Sequence, residues 1–108
     1  MSKYGNYKTE YDGIVFDSRK EAQRYAELKL LQRAGLIRDL KLQVPFELIP
    51  KQERDGKCVQ RSVKYIADFV YFKDGQMVVE DTKGMRTDVF KLKKKMMLWL
   101  WDIDVVEV

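Results

Sequence analysis

YIADFVYFKDGQMVVEDTK, residues 65–83, is the stretch on which the fold turns. Tyr65 to Phe72 is nearly all apolar, as in a strand covered on both faces. Asp74-Gly75 is a two-residue turn signal, and strand-forming residues resume from Gln76 to Lys83. With Asp74 and Gly75 at the centre, opposed positions sum to 149, so Phe72 faces Met77, Val70 faces Val79, and Asp68 faces Asp81. Opposed Cβ atoms stand about 4.5–5.5 Å apart, and like charges there are destabilising. Asp68 also lies in an apolar run, where an unpaired carboxylate is costly. The two acids therefore call for a counter-charge, for which a divalent cation is a natural candidate. Lys83, two residues beyond Asp81, projects from the same face, while Glu80 points to the other. An ammonium beside such a pair can steady a developing phosphorane charge or orient an attacking water. The structural alternative is an acid pair that shares a proton or is bridged by Lys83, and a one-residue slip of register would separate the acids.

Upstream of this hairpin, Ser18-Arg19-Lys20-Glu21 matches a capping box, and Gly35 sits where a cap glycine belongs. The strong helix formers between them predict a helix over 19–34. At about 100° per residue Glu21 falls between Tyr25 and Leu28 on the apolar stripe, whereas Glu27 points to solvent. Glu21 thus suits either a capping role or a site on the buried face. Met1 to Gly13 reads as a polar arm or loop, and Ile14-Val15-Phe16 as a short edge strand. From Leu40 the period changes to two: Leu40, Leu42, Val44, Phe46 and Leu48 alternate with polar residues up to Ile49, and Pro45 places this strand at an edge or a bulge. Pro50 to Lys57 reads as a polar loop with an Asp55-Gly56 turn, leading into a strand from about Val59 to Phe72.

Downstream, Thr87 can cap a second helix over about 88–100, with Val89, Leu92, Met96 and Trp99 at helical spacing. Ile103, Val105, Val106 and Val108 close the chain as a last strand. The order helix, three strands, helix, strand predicts an α/β chain of the α+β kind: a mixed sheet flanked by helices, built as one domain over residues 1–108. Lys83 to Lys95 holds six basic residues against one acid, Asp88. Lys91, Lys94 and Lys95 cluster away from the Val89 stripe, and with Arg86 they form a candidate track for a phosphate backbone, which Arg19, Lys20 and Arg24 would extend. Without a site beside it, such a run would read as a solvated helix face.

Composition narrows the chemistry further. The 108 residues include no histidine, which removes Ser-His-Asp and Cys-His relays and histidine-ligated zinc. Any catalysis must come from carboxylates, lysines, tyrosines or hydroxyls, and carboxylates suit magnesium or manganese. The net charge of +4 favours an anionic partner. A single cysteine, Cys58, excludes an internal disulfide and fits a reducing compartment, with a cytoplasmic location as the expectation. The longest apolar run, Met96 to Trp101, is too short to cross a bilayer, and no leader pattern opens the sequence.

A helix glutamate, a strand aspartate and Asp-Thr-Lys at the next strand end resemble the PD-(D/E)XK nuclease superfamily, and the order of elements from about Phe16 resembles its restriction-endonuclease-like core. More closely, YDGIVFDSRKEAQRYAELKLLQRAG, YIADFVY and VVEDTKG resemble a DUF1064-like family of small phage and prophage proteins, regarded as endonucleases and similar to phage junction-resolving enzymes. The resemblance implies that Asp68, Asp81 and the Thr82 carbonyl bind magnesium or manganese, that Lys83 is the catalytic lysine, and that Glu21 is the helix glutamate. Two positions depart from the pattern: Ala67 stands where the motif name has proline, and the shorter Asp81 replaces the commoner glutamate. The implied activity is metal-dependent hydrolysis of DNA, including branched DNA such as a Holliday junction, with no organic cofactor and in the host cytoplasm. A homodimer would suit cleavage of two strands. The competing readings are a DNA-binding module that kept the scaffold without catalysis, and a structural phage component.

Overall fold

Three Asp-Gly pairs punctuate the chain into hairpins: Asp12-Gly13, Asp55-Gly56 and Asp74-Gly75 all have positive φ at both residues, between 52° and 78°. That backbone is what a two-residue turn needs to match the twist of its strands, and aspartate and glycine tolerate it best. A computed structural model describes residues 8–82 and 86–108. Its first hairpin joins β1 (Thr9–Tyr11) to β2 (Ile14–Phe16). The arm expected before Gly13 is therefore a strand from Thr9 onward, short enough that no alternation betrays it. Phe16 is buried, with its ring centroid 5.1 Å from that of Tyr25, and the Tyr25 hydroxyl donates to Asp12 at 3.1 Å.

Helix α1 (Arg19–Arg33) begins where the sequence places it. The Ser18 hydroxyl accepts from the Glu21 N–H at 3.1 Å, while the Glu21 carboxylate reaches back to the Asp17 N–H at 3.2 Å. Gly35, at φ +80°, lets the chain turn out of the helix. The long strand β3 (Arg38–Ile49) follows, then the hairpin of β4 (Gln52–Arg54) and β5 (Lys57–Gln60), then β6 (Val63–Lys73) and β7 (Gln76–Asp81). Two expectations need correction here. Pro50 to Lys57 is not wholly loop, and the strand expected over 59–72 is two strands. Residues 57–60 pair back on β4, whereas β6 pairs with β3, and Arg61-Ser62 separates them with no glycine or proline to mark the break.

Helix α2 (Asp88–Trp101) is capped by the Thr87 hydroxyl, which accepts from the Phe90 N–H at 3.1 Å, and β8 (Val106–Glu107) closes the chain. The main sheet has the order β3-β6-β7-β8, with β3 and β6 antiparallel, β6 and β7 antiparallel, and β7 and β8 parallel. It is a mixed α+β fold. Pro45 lies on an edge strand, as its missing donor requires. The hairpin register is the one read from the turn: Phe72 pairs with Met77, Val70 with Val79 and Phe69 with Glu80, each summing to 149.

Two apolar clusters flank the sheet. Ala22, Tyr25 and Leu28 of α1 pack with Phe16, Ile37, Phe69 and Tyr71, and Leu40 and Leu42 lean on that cluster. Phe90 and Met97 of α2 pack with Phe46, Leu48, Tyr65, Ala67, Val70, Val79 and Val105, and Val44 leans on that one. Along β3 the same parity of residue thus changes clusters between Leu42 and Val44. Gln43 between them has φ +51°, and this left-handed residue re-aims the strand as a bulge does. On β6 the change falls between Ala67 and Phe69, on either side of Asp68. The pairs Leu42–Phe69 and Val44–Ala67 both sum to 111, so the register sets Gln43 opposite Asp68.

The core face of α2 is a further correction. Val89, Leu92 and Trp99 are 60%, 58% and 83% exposed, so of the stripe read from spacing Met96 alone packs against the sheet and the other three look outward. The helix seats on Phe90 and Met97, and Trp101 donates its indole N–H to the Glu47 carbonyl at 3.0 Å. Nine of the fourteen residues of α2 are apolar, so the helix offers two apolar faces and spacing alone does not choose between them. Among the described residues no helix is long and apolar enough to cross a membrane.

Candidate active site

The point where the chain passes between its two clusters gathers the acids. Helix α1 presents Glu21 from its first turn, buried at 4% exposure. Its Oε1 accepts from Gln43 Nε2 at 3.0 Å, and the same amide nitrogen donates to Asp68 Oδ1 at 3.3 Å. Asp68 Oδ2 accepts twice from Thr82, from the backbone N–H and from the hydroxyl, both at 2.9 Å. The strand β6 acid therefore holds the end of β7 in place. Asp81 is fully buried, and its Oδ2 accepts from the Tyr65 hydroxyl at 2.6 Å. Tyr65 feels both Asp81 and Asp68, and burial with these anions pushes its hydroxyl well above the usual tyrosine range. It remains a donor at any physiological pH. The acids form a row: Gln43 joins Glu21 to Asp68, and Asp68 holds Thr82, the residue that follows Asp81.

Glu21 holds its proton unusually tightly for a carboxyl. Burial, and then the Asp68 carboxylate, push its pKa up from 4.5 to about 7, against the opposing pull of the Asp17 N–H. Near neutral pH this carboxyl exchanges a proton readily, the condition general acid–base chemistry favours. Among the described residues neither Glu21 nor Asp68 makes an ion pair. A cleft of about 290 Å³, lined by Ile14 to Asp17, Glu21, Leu42 and Gln43, opens beside them. Among the described residues no three acidic or thiol side chains converge tightly enough to form a metal-binding group. The Glu21–Asp68 pair alone still suits magnesium, which keeps several waters and needs one or two carboxylates. Lys83, singled out in the sequence, lies outside the described residues.

The remaining residues separate by their partners. Glu80 does face away from Asp81, toward α1, and it is buried as half of an ion pair: Arg24 Nε and Nη2 donate to its two oxygens at 2.7 and 2.6 Å, and the Tyr71 hydroxyl donates to it as well. Arg24 is also held by Glu27 at 2.9 Å, so its guanidinium is committed to two carboxylates of this chain. Lys94 and Arg86 both pair with Glu107, at 2.7 and 2.9 Å. Lys91, Lys95, Arg86 and Lys94 line one hollow of about 270 Å³, with Leu98 and Asp104 on its rim. Lys20 and Thr82 share another of about 250 Å³ with Gln23, Arg24, Glu27 and Val108. Arg19 is exposed at the start of α1.

Sequence reasoning missed Gln43 and Tyr65 as members of the site. Gln43 sat on the polar side of an alternating strand, and nothing in the sequence announces its left-handed backbone. Tyr65 is a core residue by its ring, and tertiary packing alone brings its hydroxyl to Asp81.

Residues 1–103 match the family described as "Protein of unknown function (DUF1064)". The chain belongs to the DUF1064 family. No curated protein and no solved structure matches it. The resemblance read in the sequence therefore holds at the level of DUF1064, while the wider nuclease superfamily is a proposal for this DUF1064 chain.

Proposed function

We propose that this DUF1064 protein is a divalent-metal-dependent endodeoxyribonuclease of the PD-(D/E)XK kind. The observation that carries the reading is the convergence of Glu21 and Asp68, from different elements, on the single amide of Gln43. Two buried carboxylates set side by side without a cation beside them among the described residues are costly, and perturbed acids of this sort cluster at functional sites. In the proposal Asp68, Asp81 and the Thr82 carbonyl hold magnesium or manganese, with Glu21 alongside. A bound divalent ion supplies Lewis acidity at the scissile phosphate.

The protein's own groups do the rest. Glu21, buried beside Asp68, takes the proton of the attacking water. Gln43 fixes Glu21 and Asp68 in one geometry, and Tyr65 does the same for Asp81. Lys83, directly after Thr82 in the chain, steadies the charge that grows on the phosphorus oxygens. Lys91 and Lys95, with Arg86 and Lys94 at the same hollow, attract the DNA backbone. Lys20 and Arg19 would extend this track at the start of α1. Branched DNA in phage recombination is the substrate class the resemblance brings. A homodimer belongs to the same proposal, supported by the exposed apolar face of α2.

A non-catalytic DNA-binding module is the second reading, and the lack of a three-acid metal group among the described residues is what favours it. A panel of labelled duplex, nicked and branched DNA, incubated with magnesium, manganese or EDTA, separates the two. Cutting that needs the cation supports the nuclease, and binding without cutting under any cation supports the module.

A further inference from the structure

The β4–β5 ribbon joins neither apolar cluster, and every residue of its two strands is exposed. An isolated two-stranded ribbon is marginal in water and adds little to stability, so the fold does not explain its presence. The chain is also extended, with a radius of gyration of 16.0 Å against about 13 Å for a compact chain of this length.

The ribbon has two unlike faces. Gln52 pairs with Gln60, Glu53 with Cys58 and Arg54 with Lys57, and a register shift between the first two pairs takes up Val59. Directly opposed residues share a face, and so do residues two apart except across an extra residue such as Val59, which breaks the alternation between Cys58 and Gln60. Gln52, Gln60, Arg54 and Lys57 therefore stand on one side, with Glu53 and Cys58 on the other. Arg54 and Lys57 are like charges set opposite each other beside the turn, an arrangement that destabilises a free hairpin. Glu53 does not relieve them: it pairs with Lys51 at 2.9 Å. Among the described residues, Arg54 and Lys57 make no ion pair.

Two cations forced together and two amides on the same face match a duplex groove. A two-stranded ribbon fits the major groove of about 12 Å, where arginine and lysine meet guanine or phosphate and glutamine meets adenine. We propose that the β4–β5 ribbon is a DNA-groove-binding wing, with Gln52, Arg54, Lys57 and Gln60 set against the duplex. This inference rests on the reading of the protein as DNA-binding and adds a second contact region, apart from the acid row and from α2.

The test is anisotropy titration of duplex and single-stranded DNA in EDTA at several salt concentrations, using the full chain. For the double variant Arg54→Ser with Lys57→Ser, affinity for duplex should fall about tenfold, and the slope of log affinity against log salt should become shallower by about two. The double variant Arg54→Lys with Lys57→Arg, which keeps both charges, should keep the parent slope, and Glu53→Gln on the opposite face should not make the slope shallower. All these variants should melt with the parent, because none of the residues touches a core cluster. Unchanged affinity and slope in the Ser variant, or a loss confined to single strands, would overturn the wing while leaving the nuclease reading intact. A parent protein that binds no DNA would overturn both.

Discussion

Glu21 Oε1 and Asp68 Oδ1 lie 3.0 and 3.3 Å from the same nitrogen, Nε2 of Gln43. One neutral donor therefore serves two neighbouring carboxylates, and burial first, then the neighbouring Asp68 charge, raise the pKa of Glu21.

That shift makes stability depend on pH with a definite sign. The folded pKa of Glu21 is about 7 against 4.5 for the free group. The folded state thus holds this proton more tightly, and the contribution is full below about pH 4.5 and lost as pH rises through 7. Glu21→Gln should remove this loss and leave the metal-free protein more stable than the parent by about 2 kcal/mol at pH 8. Denaturant melts across that range check it, and a variant that weakens with pH as the parent does would contradict it. Magnesium should stabilise the parent at pH 8, and Glu21→Gln less so.

Gln43→Gly separates backbone from side chain. Glycine accepts φ +51° without the penalty a Cβ brings, so the fold should survive with a change of about 1 kcal/mol or less. The lost amide favoured the charged carboxylates, and the pKa of Glu21 should rise further. Carbon-detected NMR titration of the Glu21 carboxyl measures this directly, and a fall in its pKa would show that Gln43 does not hold the pair.

Arg24 divides structure from DNA binding. Its bonds to the buried Glu80 predict that Arg24→Ala leaves an uncompensated buried charge and lowers stability by about 2–3 kcal/mol. Adding Glu80→Gln should recover much of that loss. A fully stable Arg24→Ala whose DNA affinity drops would instead return Arg24 to the DNA track.

Lys91 and Lys95 are the exposed lysines of the α2 hollow, whereas Lys94 is engaged by Glu107. Replacing both by glutamine should weaken binding to every DNA alike and make the salt slope shallower by about two. An unchanged slope in the same titrations would make this helix face merely solvated.

Much of this was legible in the sequence because its signals are local. Ser18, Gly35 and Thr87 set helix ends, and Asp74-Gly75 set the register of β6 on β7 to the residue. Other features were not legible because tertiary packing decided them. Trp99 and Met97 are both apolar and on the same helix, and only the sheet determines which is buried. Gln43 joins the site through a backbone conformation that no side-chain pattern encodes. The split between Gln60 and Val63 reflects competing partners for two stretches that read alike as strand.

The most direct test of the central claim is single-turnover cleavage of labelled branched and duplex DNA by the parent, Asp68→Asn and Lys83→Ala, each with magnesium, manganese or EDTA. The parent should cut with either cation and not with EDTA. Both variants should bind DNA as the parent does and lose cleavage by a factor of about a hundred or more. Parent protein that binds these DNAs and cuts none of them under any cation, or Asp68→Asn that cuts at the parent rate, would contradict it.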